Sequence, residues 1–204
     1  MNRQTFKPIL AFRWFIAIAW LIFSCTVGVH AQSQSLSASG DNLFASECYQ
    51  NSARANRSDN AEFSDLESCD QAIEYGTLLE QDLIATFVNR GLLYAIMGNL
   101  SRAERDYSSA LELNSKVAEI YLNRGNLRFM SGRFEQAVSD YNKAESLELK
   151  QSHILFLNRG MAYENLGLFE QAQRDYIASL ELAPDWSVAV EKLSAIKNRV
   201  LGLQ

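Results

Sequence analysis

Apolar residues are laid out along this chain in three different ways. Between Trp14 and Val29 they form a nearly unbroken run of about 16 residues, shorter than the about 20 that a spanning helix needs. Over residues 32–42 they almost vanish, leaving Gln-Ser-Gln-Ser-Leu-Ser-Ala-Ser-Gly-Asp-Asn, which reads as a disordered leader. Beyond that they recur at helical spacing, as in Phe87, Gly91 and Tyr94 and again in Phe156, Gly160 and Tyr163. The spacing predicts a helix over 43–55, capped by Asp41 or Asn42, then a polar loop over 56–60. A second helix follows over 61–75, with Ser64 and Glu67 at capping-box spacing inside it and Gly76 as its stop. Residues 43–83 thus read as a degenerate helical hairpin.

From there the pattern repeats. Asn-Arg-Gly occurs at 89–91, 123–125 and 158–160, so the arginines Arg90, Arg124 and Arg159 are 34 and then 35 residues apart. Each triplet is followed at fixed offsets by Gly (Gly98, Gly132, Gly167), Ala (Ala103, Ala137, Ala172) and Asp-Tyr (Asp106-Tyr107, Asp140-Tyr141, Asp175-Tyr176). Self-similarity at this period marks stacked supersecondary units. Three units are expected, at 84–117, 118–152 and 153–186, each a helical hairpin broken at the later glycine. A glycine inside a helix costs about 1 kcal/mol relative to alanine. Three of them in one register, Gly91, Gly125 and Gly160, need a packing reason, and close approach to the second helix at its alanines supplies one. A last helix, 187–204, has Pro184 and Asp185 at its start and Gly202 at its end. Its Glu191, Lys192, Lys197, Asn198 and Arg199 form the polar outer face that the end of a stack requires.

The string Asn-Arg-Gly-x-x-Tyr-x-x-x-Gly-x-x-x-x-Ala-x-x-Asp-Tyr-x-x-Ala-Leu-Glu-Leu resembles the tetratricopeptide repeat, over about 84–186. Arg128 replaces the usual aromatic in the second copy and Ser179 the usual alanine in the third, and only the third ends in proline, Pro184. The resemblance implies an all-α, right-handed α-solenoid of stacked antiparallel hairpins with a C-terminal capping helix. It also implies that the first helices line a concave groove.

Arginine at position seven and aspartate at position twenty-three sit equidistant from the turn of one hairpin, which pairs Arg90 with Asp106, Arg124 with Asp140 and Arg159 with Asp175. The planar guanidinium fork suits a two-bond grip on a carboxylate. The alternative is that the arginines reach into the groove for a partner's carboxylate. Asn89, Asn123 and Asn158, at position six, would form an amide ladder in the groove, similar to that of the O-linked N-acetylglucosamine transferase superhelix. A primary amide donates and accepts, so it can read a peptide backbone. The competing reading is that each asparagine bonds a neighbouring helix and fixes repeat spacing. Leu92, Asn126 and Met161 at position nine, with Phe129 and Met130, complete the expected groove. Position five is aliphatic in every copy (Val88, Leu122, Leu157), unlike the carboxylate clamp of chaperone-binding members, which has lysine there. These position-five side chains fit inter-repeat core equally well.

Residues 1–31 hold three bases, Arg3, Lys7 and Arg13, and no acid, and they end Val-His-Ala. Together with the apolar run this is the pattern of an export signal cleaved after Ala31. An uncleaved anchor, or a lipid on Cys25, would instead leave the protein on a membrane. Cleavage leaves 16 of the 19 lysines and arginines against 24 acids, without the basic stripe that nucleic acid requires. It also leaves two cysteines, Cys48 and Cys69, an even count that in an exported protein favours a disulfide. No nucleophile elbow, phosphate loop or histidine-based acid/base pair is found, and no metal, cofactor or enzymatic activity is expected. The expectation is an exported protein, periplasmic or secreted, that scaffolds a peptide or partner helix in its groove. By resemblance the host is bacterial. The rival is a self-assembling structural or regulatory subunit of an envelope complex, with its leader in a neighbour's groove.

Overall fold

The computed structural model describes Leu36, residues 42–149 and residues 152–200. The expected signal at 1–31, most of the expected leader, the end of the second repeat and Gly202 therefore lie outside the described residues. Within them the chain is all helix: α1 (Leu43–Ser58), α2 (Phe63–Tyr75), α3 (Glu80–Ile96), α4 (Leu100–Leu113), α5 (Ala118–Met130), α6 (Phe134–Ser146), α7 (Ser152–Asn165), α8 (Phe169–Leu182) and α9 (Ser187–Val200). Each helix packs mainly on its neighbours in sequence, in the hairpins α1/α2, α3/α4, α5/α6 and α7/α8, with α9 against α8. The first helices also meet along the inner side, α1 on α3 most extensively. This is the one-dimensional contact pattern of a solenoid.

The turns explain why the hairpins close where they do. Gly98, Gly132 and Gly167 all have left-handed backbone, with φ of 75°, 71° and 73°. The amide one residue on then reaches five residues back: Asn99 to the Tyr94 carbonyl at 2.8 Å, Arg133 to Arg128 at 2.9 Å and Leu168 to Tyr163 at 2.9 Å. That bond ends the first helix by satisfying one of its last carbonyls. It needs only main chain at the residue it reaches, so Arg128 in place of an aromatic does not disturb it.

The Asn-Arg-Gly glycine has a different partner from the one expected. A Cβ at Gly91, Gly125 or Gly160 would stand 2.8, 2.6 or 2.6 Å from Cε1 of Tyr107, Tyr141 or Tyr176. The tyrosine ring, not the alanine, lies on the glycine. All three rings are buried, and with Ala103, Ala137 and Ala172 they form the centre of successive apolar clusters. Ser179, the other departure, is buried but satisfied, donating to the His153 carbonyl at 2.9 Å.

Several boundaries differ from the sequence reading. α1 runs through the expected loop to Ser58 and stops at Asp59, which takes the left-handed conformation (φ 49°) without being glycine. Of the two expected caps Asn42 is described, and it caps the helix, accepting from Ala45 N at 3.1 Å. α2 starts at Phe63, and its closing side chain is Asp65, accepting from Glu62 N at 2.8 Å, so the Ser64/Glu67 pair is not the capping box. α3 begins at Glu80, ahead of the repeat boundary, with Glu80 and Asp82 at its positive end. Pro184 and Asp185 form the turn before α9 rather than its first turn. Two of the expected outer-face residues of α9 fold back onto the stack, Lys192 and Arg199 reaching Glu164 at 3.4 and 3.3 Å. The sulfur atoms of Cys48 on α1 and Cys69 on α2 are 2.09 Å apart, with their Cα atoms separated by 4.8 Å.

Candidate functional site

The inner side of the stack is carried by α3, α5 and α7, and an ion-pair frame sets their rotation. Arg90 donates through Nε and Nη2 to both oxygens of Asp106 at 2.9 and 2.8 Å. Arg124 holds Asp140 at 3.0 and 2.8 Å, and Arg159 holds Asp175 at 2.8 and 2.9 Å. The aspartates are buried and the guanidinium groups largely so. Each fork therefore locks the two helices of one hairpin, and it is not turned into a groove. Burial by itself disfavours the charged guanidinium, but the bonds and charge of Asp106 and Asp70 outweigh it and raise the pKa of Arg90 above its ordinary value. The same opposition, with Asp175 and Glu145 on the winning side, raises Arg159.

Sequence reasoning missed what these arginines do with their remaining donors. Arg90 reaches back to Asp70 of α2 at 2.7 Å, and Arg159 reaches back to Asn142 at 2.7 Å and to Glu145 of α6. Hairpins are thus stapled to the ones before them. In the second copy another residue does this work. Arg128, the departure from the aromatic pattern, joins Asp140 at 2.8 Å to Glu104 of α4 at 3.4 Å, and Arg133 grips the same Glu104 at 2.7 Å. The hydrogen bond from Arg133 depresses the Glu104 pKa, against partial burial and with help from the charge of Arg128.

The asparagines occupy the inner side but are covered. Asn89, Asn123, Asn126 and Asn158 are 1, 1, 3 and 2 % exposed. Asn158 donates to the Asn126 amide oxygen at 2.8 Å, and the Tyr141 hydroxyl donates to the same oxygen at 2.9 Å. This chain pins the third hairpin to the second. Asn89 donates to the main-chain carbonyl of Leu36 at 3.0 Å, across 53 residues of sequence. Leu36 itself, expected in a disordered leader, is half-buried and packs on the first apolar cluster.

The rest of the expected groove is corrected toward core. Leu92 and Met161 are buried, Met161 among Ala172, Tyr176, Ala189 and Ile196, because position nine faces the following helix and not solvent. Val88, Leu122 and Leu157 at position five are core as well. Phe129 and Met130 keep partial exposure, with Phe129 edge-on to Phe134 at 5.4 Å between ring centres. Among the described residues no cluster of His, Cys, Asp and Glu is arranged to hold a metal ion, and no helix is long and apolar enough to cross a membrane.

Against known families, two profiles described as Tetratricopeptide repeat match residues 88–149 and 155–185. The chain is a tetratricopeptide-repeat protein. No curated protein sequence matches it significantly. Among solved structures it is similar to the first TPR domain of Spaghetti (RPAP3) bound to the HSP90 peptide SRMEEVD, at 25% identity and a TM-score of 0.56, covering 58% of this chain and 93% of that one. It is also similar to the second TPR domain of human RPAP3 in complex with the HSP70 peptide SGPTIEEVD, at 26% identity and a TM-score of 0.55, covering 58% and 98%. MamA shares the fold over more of the chain, 78% against 84% of its own, with a TM-score of 0.62 at 16% identity. The tetratricopeptide profiles begin inside α3, so α1 and α2 lie outside them. That hairpin carries the Cys48–Cys69 contact and lies beside the Asn89–Leu36 bond, neither of which belongs to the repeat consensus.

Proposed function

We propose that this protein is an exported scaffold whose inner face holds an extended segment of a protein partner, without catalysis. The observation that carries this reading is Asn89, a buried inner-face amide that donates to a main-chain carbonyl outside the helices, at 3.0 Å. A bond of this kind reads backbone and tolerates any side chain. The peptide-bound RPAP3 domains support it by fold and by kind of ligand. Their peptides end Glu-Glu-Val-Asp, however, and position five here is buried aliphatic core with no cation to meet such a terminus. The fitting ligand is an extended segment with an apolar side chain, as Leu36 presents to the first cluster. Export through residues 1–31, with cleavage at Ala31–Gln32, brings the protein to an oxidising compartment where Cys48 and Cys69 form a disulfide that secures the hairpin beside the site. Mass spectrometry of protein from the native host should find Gln32 at the N-terminus; an intact Met1 or a lipidated Cys25 refutes the soluble, exported form.

The binding test is a displayed peptide library selected on the purified chain. Selected peptides should lose about twofold to tenfold in affinity on Asn89→Ala, the worth of one hydrogen bond, while the melting curve of the variant stays cooperative. Peptides that bind Asn89→Ala and wild type equally place the binding surface elsewhere. A second reading, self-assembly, would have the Leu36 contact made between copies. Light scattering that shows a concentration-dependent oligomer would favour it.

A further inference from the structure

We propose that the Asn89 site is self-occupied: the chain's own Leu36 segment is its resident ligand, and a partner must displace it. The inference rests on reading the inner face as a peptide site and names its first occupant. Three observations carry it. First, Asn89 Nδ2 donates to the Leu36 carbonyl at 3.0 Å, while the Leu36 side chain packs on the cluster containing Cys48, Leu66, Ile84, Val88 and Ile120. One residue thus presents both a main-chain acceptor and an apolar anchor, which is how an extended peptide docks. Second, the repeat register shows how the Asn89 amide differs. In the third hairpin the equivalent Asn158 donates to the side chain of Asn126 from the preceding first helix. Asn89 has a main-chain carbonyl in that place, and its own Oδ1 is buried with no hydrogen-bond partner. An amide with its donor used and its acceptor unused matches an extended strand, which offers C=O and N–H together. A partner strand that also supplies the N–H gains a bond that Leu36 does not give. Third, the tether is short. Six residues lead from Leu36 to Asn42, the cap of α1, and they reach at most about 20 Å. α1 packs directly on α3, so the contact closes within one chain.

A tether of this length gives an effective concentration of about 1 mM. If the free segment binds at about 0.1 mM, a competing partner is weakened about tenfold. The probe is a fluorescent synthetic peptide of residues 32–42 titrated into the purified chain. It should bind Leu36→Asp about tenfold tighter than wild type, and the double variant Leu36→Asp/Asn89→Ala should lose that gain. Equal affinity for wild type and Leu36→Asp overturns the inference, and so does a wild-type dimer that Leu36→Asp dissociates, since the occupant then comes from a second copy. The milder Leu36→Ser covers any failure of the aspartate variant to fold. In wild type and Leu36→Ser, the Asn89 side-chain amide is followed by ¹⁵N NMR without any partner. Its resonances should move. Unchanged resonances sink the inference even if library peptides bind the groove. Moved resonances uphold self-occupancy even if no library peptide binds, which would count against the scaffold reading alone.

Discussion

Replacing Gly125 by alanine should destabilise this protein, although alanine is the better helix former by about 1 kcal/mol. The added methyl would stand 2.6 Å from Cε1, 2.9 Å from Cδ1 and 3.2 Å from Cζ of Tyr141. Carbon atoms normally rest about 3.5–4.0 Å apart, so the ring must retreat by nearly 1 Å. It has nowhere to go, being fully buried among Ala137, Ala144, Leu122 and Leu155. Its hydroxyl is tied to Asn126 at 2.9 Å, and Asn126 accepts from Asn158 at 2.8 Å. Overpacking of this kind costs about 1–3 kcal/mol and a strained buried hydrogen bond about 1 more. Set against the helix gain, the net loss is about 1–3 kcal/mol, or several degrees of melting temperature at about 2–4 °C per kcal/mol for a chain of this size. Circular dichroism at 222 nm, with heat and with urea, reads it. The decisive measurement is the cycle with Tyr141→Val, which removes the ring atoms that the methyl meets. In that background Gly125→Ala should stabilise by about 1 kcal/mol, so the sign reverses. If Gly125→Ala stabilises the wild type as well, the tyrosine is not what selects glycine at position eight.

Three further outcomes follow from the frame. Arg159→Ala should cost about 3 kcal/mol, because it strands Asp175 in the core, and Arg124→Ala about half that, because Arg128 still holds Asp140 at 2.8 Å; equal losses in urea titrations would show that Arg128 does not compensate. Cys48→Ser/Cys69→Ser should lower stability by about 3 kcal/mol, and reductant should do the same to the wild type but nothing to the variant; two free thiols titrated in denatured native-host protein would refute the bond. Glu104 has its pKa held below 4.5 in the fold, so the unfolded chain takes up its proton first, and the stability Glu104 contributes is present above about pH 4.5 and lost as pH falls through the folded value. Glu104→Gln should therefore flatten the acid limb of stability against pH, by less than about 1 kcal/mol because the carboxylate is partly exposed; an unchanged limb would mean that the bridge to Arg133 is not formed in solution.

What the sequence revealed was whatever recurs. The Arg–Asp geometry could be read because both residues advance in step through three copies, and the turn glycines because left-handed backbone selects glycine three times over. Features that occur once were not legible. Asp59 ends α1 in the left-handed region without glycine, so the polar residues 56–58 carry no stop signal that distinguishes them from a loop. Glu164 gathers Tyr176, Lys192 and Arg199, a junction between the last hairpin and α9 that has no counterpart in other copies. Arg128 was visible as a departure from pattern, but its meaning depended on Glu104, one hairpin back. The repeat resemblance puts position nine on the groove side, and only packing decides that Met161 belongs to the core beneath α9.

The asparagines carry the same lesson toward function. One residue type at one register position does two different jobs. Asn158 sits within the stack, where a preceding repeat supplies Asn126, and there it is a structural pin. Asn89 sits where the repeats begin, against a hairpin that does not follow the consensus, and its donor is met by the leader's main chain instead. Within the stack an inner polar group can pair across repeats, as Asn158 and Asn126 do, whereas Asn89 pairs with a residue outside the helices. The boundary where the repeats begin also lies next to the hairpin of Cys48 and Cys69, which falls outside the matched repeats. The buried Oδ1 of Asn89 costs stability as it stands, about 1–3 kcal/mol for an unmet polar group. A ligand that supplied an N–H there would recover that cost on binding.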